Sequence, residues 1–127
     1  ARRLDVQAIE GFFASNYALF RNLSDWYQFN ADNVALTYGT RFHVNMASVL
    51  SGKPAMWICN DAKTRDMADF VHLPAIDLDR AAGMSVEDIA GEVDFDPFFD
   101  GIDDRIDNFN RYLDGCGLPA IPKVFQN

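Results

Sequence analysis

Between residues 4 and 20 the apolar side chains Leu4, Val6, Ile9, Phe12, Phe13 and Tyr17 recur at steps of three and four. That spacing lines one face of an α-helix, so a helix with one buried stripe is expected there. Ser24 ahead of Asp25-Trp26-Tyr27 has the look of an N-cap with an acidic first turn, which predicts a short helix over residues 25–29. Asp32-Asn33 breaks the pattern, and residues 34–37 then form a short apolar run that predicts a strand ending at Tyr38-Gly39-Thr40. Phe42, Met46, Val49 and Leu50 fall on one helical face, and Gly52 is placed to close that helix. Residues 55–59 are almost continuously apolar over the length of a strand, a pattern that belongs to a strand covered on both faces.

Past Asn60-Asp61 a further helix is predicted over residues 63–71, with Met67, Phe70 and Val71 as its apolar contacts, followed by an extended segment over 73–76. Strand, helix, strand, helix, strand with short connections is the order of βαβ crossovers, so the fold class expected is α/β with a parallel sheet flanked by helices. Ligands in such sheets sit at the carboxyl ends of the strands, which makes residues 37–43 and 59–64 the two candidate ligand loops. Downstream, Met84-Ser85-Val86-Glu87-Asp88 predicts a helix start. Ile102, Ile106, Phe109 and Leu113 share one face of a closing helix that Gly115 or Gly117 would cap.

Composition sharpens this picture in three respects. The chain has 127 residues and is 49% hydrophobic, the size and apolar content of one ordinary domain. Its eleven phenylalanines outnumber the aromatics that carry a polar handle, which predicts that most aromatic area is interior. The net charge of −8 is uneven: residues 1–76 hold seven basic and seven acidic side chains, residues 77–114 three basic and twelve acidic. An acidic balance without a basic cluster argues against nucleic acid and anionic membrane as partners. No run approaches the roughly 20 apolar residues of a membrane span, nor does the start of the chain carry a signal-peptide core, so a cytoplasmic protein is expected. Cys59 and Cys116 match no metal spacing and are both expected to be reduced and buried. The many aspartates of the tail lack the ligand order of a calcium loop, so no metal is expected and the acidic face is read as solvated.

The chemistry concentrates at Tyr38-Gly39-Thr40-Arg41-Phe42-His43, where a glycine turn after an apolar strand delivers an arginine and a histidine to the opening of a helix. Helix openings present unpaired N–H groups and partial positive charge, and Arg41 adds a planar fork for carboxylate or phosphate. His43 is a candidate proton donor or second cationic contact. The competing reading pairs Arg41 with an acidic neighbour and buries His43. In the second loop, Lys63, Thr64 and the helix amides offer a phosphate or acceptor contact, while the competing reading makes Asn60 or Asp61 an N-cap. His72 is read as a helix-end histidine facing the dipole.

These elements in order, from Asp25-Trp26 through Asp32-Asn33-Val34-Ala35-Leu36-Thr37-Tyr38-Gly39-Thr40-Arg41-Phe42-His43 and Gly52-Lys53-Pro54-Ala55-Met56-Trp57-Ile58 to Asp61-Ala62-Lys63-Thr64-Arg65 and Leu73-Pro74, resemble the C-terminal part of polysaccharide pyruvyl transferases over about residues 22–78. The resemblance implies one Rossmann-like lobe, half of a glycosyltransferase-B-like fold, with an acidic helical tail over 79–127 and an N-terminal lobe as its missing partner. It implies phosphoenolpyruvate as donor substrate rather than a cofactor, and a sugar acceptor that receives a pyruvate ketal. Carried over, Arg41 holds the donor's carboxylate or phosphate and His43 contacts the donor or protonates its methylene carbon. Thr40, Asn45, Asp61, Lys63 and Thr64 complete the implied substrate contacts. Val44 stands where the family has glycine. Two other readings compete: a stand-alone acidic protein-binding or inhibitor domain, and a nucleotide-sugar-binding lobe of a glycosyltransferase.

Overall fold

The computed structural model describes residues 5–123. Its centre is β2 (Ala55–Cys59), which lies between β1 (Thr37–Gly39) and β3 (Ala75–Asp77) in a three-stranded parallel sheet. All five β2 side chains are buried, as the unbroken apolar run predicts. Alternation along the strand sends Ala55, Trp57 and Cys59 to one face and Met56 and Ile58 to the other, and each set founds its own core cluster. On the first face, Phe42, Met46 and Val49 of α3 (Phe42–Leu50) and Ala68 of α4 (Ala62–Phe70) close over Trp57. On the second, α5 (Leu78–Ala81) and α6 (Val86–Gly91) bring Ala81 and Ile89 against Met56, Ile58 and Ile76. The chain is thus α/β, with helices on both faces of the sheet.

Boundaries moved where side chains act on their own backbone. The helix expected over 25–29 is α2 (Leu23–Asn33), capped by Asn22, whose Oδ1 accepts from the Asp25 amide at 2.8 Å, and not by Ser24. Asp32 and Asn33 do not interrupt it, because Gln28 donates to Asp32 and Asn33 donates to the Phe29 carbonyl, both one turn back. The strand expected over 34–37 therefore begins late, at Thr37. Upstream, α1 (Val6–Asn16) is helical as expected, but none of its residues is buried, so its apolar stripe faces outward. Leu4 lies outside the described residues. Phe20 instead stacks on Trp26 at 6.1 Å.

The expectation of interior aromatics is corrected in the same way: Trp57 is the one aromatic in the buried core among the described residues, while Phe12, Phe70 and Phe109 are all exposed. Phe70 and Leu50 share the apolar pattern of their helices yet point outward, because the three-stranded sheet is too narrow to cover every apolar position. Cys116 is likewise exposed; only Cys59 of the two free thiols is buried.

Three helices end in the same way. In α3, α4 and α8 (Ile102–Gly115) the N–H two residues past the helix cap reaches back to the third-last helical carbonyl, as in Lys53 to Ser48, Leu73 to Ala68 and Leu118 to Leu113. The turn needs a left-handed residue, supplied by Gly52 and Gly117 in two cases and by His72, at φ 56°, in the third. His72 is at a helix end as expected, but its Nδ1 lies 3.3 Å from the Pro97 carbonyl oxygen and 3.5 Å from the Arg105 guanidinium, so its ring meets the tail rather than the α4 carbonyls. The tail clasps both faces of the sheet: Ile89 and Val93 pack on the Met56 side, whereas Phe95 and Phe98, the latter in α7 (Asp96–Asp100), pack on the Trp57 side. The helix start predicted at residues 84–88 is present, and a capping box between Ser85 and Asp88 opens α6 there.

Because Trp57 is wholly buried at the meeting point of α3, α4 and the tail, Trp57→Ala is expected to cost about 3–5 kcal/mol. Urea titration followed by far-UV circular dichroism checks this; a loss under about 1 kcal/mol would remove Trp57 from its place as keystone.

Candidate functional site

Each of the two predicted loops leaves a strand and opens a helix, and the sheet order puts them side by side. β1 runs into α3 and β2 runs into α4, with β1 and β2 paired in register from Thr37 opposite Ala55 to Gly39 opposite Trp57. The loops meet in a cleft of about 520 Å³ at the carboxyl edge of the sheet. Thr40, Arg41 and His43 line it from the first loop, Asp61, Lys63 and Thr64 from the second. Residues some twenty positions apart in sequence thereby face one space.

The first loop is held by three local devices. Gly39 has φ 155°, a backbone setting that a side chain rarely adopts, and a Cβ there would touch nothing within 4 Å, so glycine is needed for its backbone freedom and not for space. Phe42 packs its ring against Trp57 at 5.6 Å. Asn45, only 1% exposed, donates through Nδ2 to the Gly39 carbonyl at 3.1 Å and to the Met56 carbonyl at 3.0 Å. The amide of Asn45 thus ties the turn to the central strand, and it is the one residue of the implied substrate set that does not line the cleft.

What the loop presents is an unneutralised cation. Arg41 is exposed and, among the described residues, forms no ion pair and no side-chain hydrogen bond; His43 is exposed as well. Neither the acid-paired arginine nor the buried histidine of the competing reading is present. Arg41 occupies the N-cap of α3 without a capping side chain, leaving the helix opening available to a ligand. Val44 is 43% exposed, so its branched side chain projects outward and the core does not absorb it.

The second helix opening is occupied. Asp61 caps α4, its Oδ1 accepting from the Thr64 amide at 2.7 Å. The Thr64 amide and hydroxyl together hold the Asp61 carboxyl below the usual carboxylate range, with the nearby Lys63 charge acting in the same direction. Thr64 itself is buried to 9% exposure, whereas Lys63 is exposed and, among the described residues, forms no ion pair, so it is the freely presented cation of this loop. The cleft therefore has an open, basic side on α3 and a capped side on α4.

A third loop was missed in the sequence. Asp77, the last residue of β3, and Asp79 just past it line, with Cys59, Asn60, Asp61 and Arg65, a second cavity of about 400 Å³ between the ends of β2 and β3. The same rule that located the first two loops applies here, and the signal was the acidic pair closing the third extended segment. Burial pushes the Cys59 thiol up from its ordinary value, against the pull of Arg65, so it stands as a neutral thiol.

Two predictions separate scaffold from site. Asn45→Ala removes both hydrogen bonds, to the buried Met56 carbonyl and the part-buried Gly39 carbonyl, and is expected to destabilise the domain by about 2–3 kcal/mol in chemical denaturation; an unchanged midpoint would free Asn45 for a ligand role. For Asp61, a folded-state pKa below the unfolded one gives a contribution present above the unfolded value and lost as pH falls through the folded one. Asp61→Asn is accordingly expected to shrink the drop in thermal midpoint between about pH 6 and about pH 2. An identical drop in both proteins would show the cap to be electrostatically idle.

Searches of protein-family models, of curated proteins and of solved structures found no match to this chain.

Proposed function

We propose that the chain is the donor-binding lobe of a polysaccharide pyruvyl transferase, one half of a glycosyltransferase-B-like pair of lobes, and that the cleft between α3 and α4 takes phosphoenolpyruvate. The observation that carries this reading is the unpaired Arg41 guanidinium at an uncapped helix opening, with Lys63 across the same cleft. A small trianionic donor needs fixed positive charge and N–H donors that no protein carboxylate already occupies. Supporting it further is the ordered resemblance of residues 22–78 to that family.

In this reading Arg41 grips the carboxylate or phosphate and His43 supplies a proton to the methylene carbon, turning it into the methyl group. The resulting cationic carbon bonds to the first sugar hydroxyl, the carbon–oxygen bond to phosphate breaks, and the second hydroxyl adds to close the ketal. Of the two hydroxyl protons lost, one balances the proton now in the methyl group and the other leaves on phosphate. Arg41 and Lys63 stabilise the charge that collects on the departing phosphate. A nucleotide-sugar lobe would use the same basic opening for a diphosphate, so a uridine diphosphate sugar belongs in the same experiment as competitor.

Calorimetric titration with phosphoenolpyruvate near neutral pH is expected to show saturable binding that Arg41→Ala weakens by roughly tenfold or more. Because Arg41 is exposed and unpaired, the variant should keep the parent's unfolding midpoint. Equal affinity in both proteins, or displacement by the nucleotide sugar at far lower concentration, would overturn the pyruvyl-transfer reading.

A further inference from the structure

Two apolar surfaces of this chain have no cover from the chain itself, one convex and one concave. The convex one is α1. Val6, Ile9 and Phe13 stand at helical positions i, i+3 and i+7, flanked by Phe12 and by Tyr17 at the helix end, and all five are between 39% and 62% exposed. Ring contacts of Phe13 with Phe12 at 5.9 Å and with Tyr17 at 5.0 Å make the stripe continuous. An eleven-residue helix with Gly11 in its middle is marginal in water, because helices of this length draw most of their stability from a packed face. Asp5 caps it, yet none of its residues is buried.

The concave surface lies between the end of α4 and α8, where Phe70, Val71, Phe109 and Tyr112 line a groove of about 440 Å³. Phe70 is 74% exposed and Tyr112 64%. Arg105, the charged residue of its wall, is turned to the tail, with its guanidinium 5.2 Å from the centre of the Phe98 ring and donating to the Phe98 carbonyl. The groove thus offers apolar walls and, among the described residues, no uncommitted charge. Along α8 it runs from Arg105 to Tyr112, the same seven-residue step that separates Val6 from Phe13, or about 10.5 Å of helix axis in each. A helix with anchors at such spacing fits a groove of such length.

We infer that the chain pairs with a second copy of itself, the α1 stripe of each copy lying in the α4–α8 groove of the other. A foreign partner would need one of these faces; this chain carries both, matched in length and in apolar character. The reciprocal arrangement closes as a two-fold dimer and leaves neither face open. From the exposed fractions, the stripe presents about 500 Å² and the groove about 400 Å², taking roughly 150–250 Å² for an aromatic side chain. Two such contacts remove roughly 1,800 Å² from water, within the range of about 1,200–2,000 Å² of a stable interface. The net charge of −8 on each copy opposes the pairing, so apolar burial drives it and salt strengthens it. The groove is at the last turn of α4 and the basic cleft at its first, so the pairing does not rest on the donor reading.

The test joins sedimentation equilibrium with nuclear magnetic resonance of mixed copies. The parent is expected to be dimeric at about 50 μM. Phe13→Asp on the stripe and Phe70→Asp in the groove, both at exposed positions, should each raise the dissociation constant roughly tenfold or more. Sodium chloride raised from about 0.05 to about 0.5 M should tighten the parent dimer. Position is read on the parent chain itself. Cys116 is exposed and lies one turn past Tyr112, whereas Cys59 is buried, so a thiol-reactive nitroxide marks the groove end of α8. Unlabelled copies carrying the nitroxide, mixed with isotope-labelled copies, should broaden the amide signals of residues 6–13 in the labelled ones. A parent that stays monomeric, a dimer that salt weakens, a dimer indifferent to both variants, or a dimer without broadening over residues 6–13 overturns the inference. Loss of phosphoenolpyruvate binding with all of these outcomes met would leave it standing and the donor reading fallen.

Discussion

A strand buried on both faces has to be supplied with cover from two directions at once, and in this domain that demand sits on the five residues of β2. Its backbone polar groups can leave water only by pairing with β1 and β3, and its side chains only by being roofed with α3 and α4 on one side and α5 and α6 on the other. Trp57 carries the largest share of that apolar area. Among the described residues its Nε1 has no hydrogen-bond partner, so the indole is kept there by packing and not by its polar handle. Both crossover helices and two phenylalanines of the tail converge on this one side chain's cluster.

The site inherits its geometry from that strand. Phe42 rests on Trp57, and Asn45 bonds to the Met56 carbonyl, so the chain is anchored in the core before His43 and after Val44 while Arg41 and His43 themselves stay in water. An anchored backbone with free cationic side chains is what an anion site requires, because the ligand need not offset the ordering of the loop. The capped opening of α4 next to it makes the cleft asymmetric, and a single carboxylate, Asp61, sets both the cap and the border with the acidic hollow.

The acidity of the tail has a plainer origin. Its carboxylates serve as caps and turn-formers, as Asp88 does for Ser85 and Asp94 for the Asp96 amide, pair with basic neighbours, as Glu92 does with Arg80 and Asp107 with Lys123, or face solvent, while Ile89, Val93, Phe95 and Phe98 supply the contacts that close the sheet. Apolar spacing along α8 agrees with one face, yet of that face Leu113 is buried and Phe109 is 47% exposed. The outward stripes of α1 and the exposed Phe70 are the same phenomenon: a three-stranded sheet offers less cover than the sequence has apolar side chains.

The sequence by itself determined the order of the three strands and the helices between them, the doubly buried central strand, the helix stop at Gly52, the helix start at Ser85 and the two loops that carry Arg41, His43 and Lys63, while the short helices α5 and α7 were not legible in it. These are local matters of periodicity, turn chemistry and strand polarity, each written within a few residues. Tertiary structure decided the rest. Which apolar stripe is covered depends on how much sheet lies beneath it, so α1 and Phe70 could not be placed from spacing. Whether Asn45 faces a ligand or a carbonyl depends on a strand eleven residues away. The third loop joined the site because β3 pairs with β2, and the charge of each hollow arose only when loops distant in sequence were brought to one edge, since electrostatic complementarity is a property of positions in space.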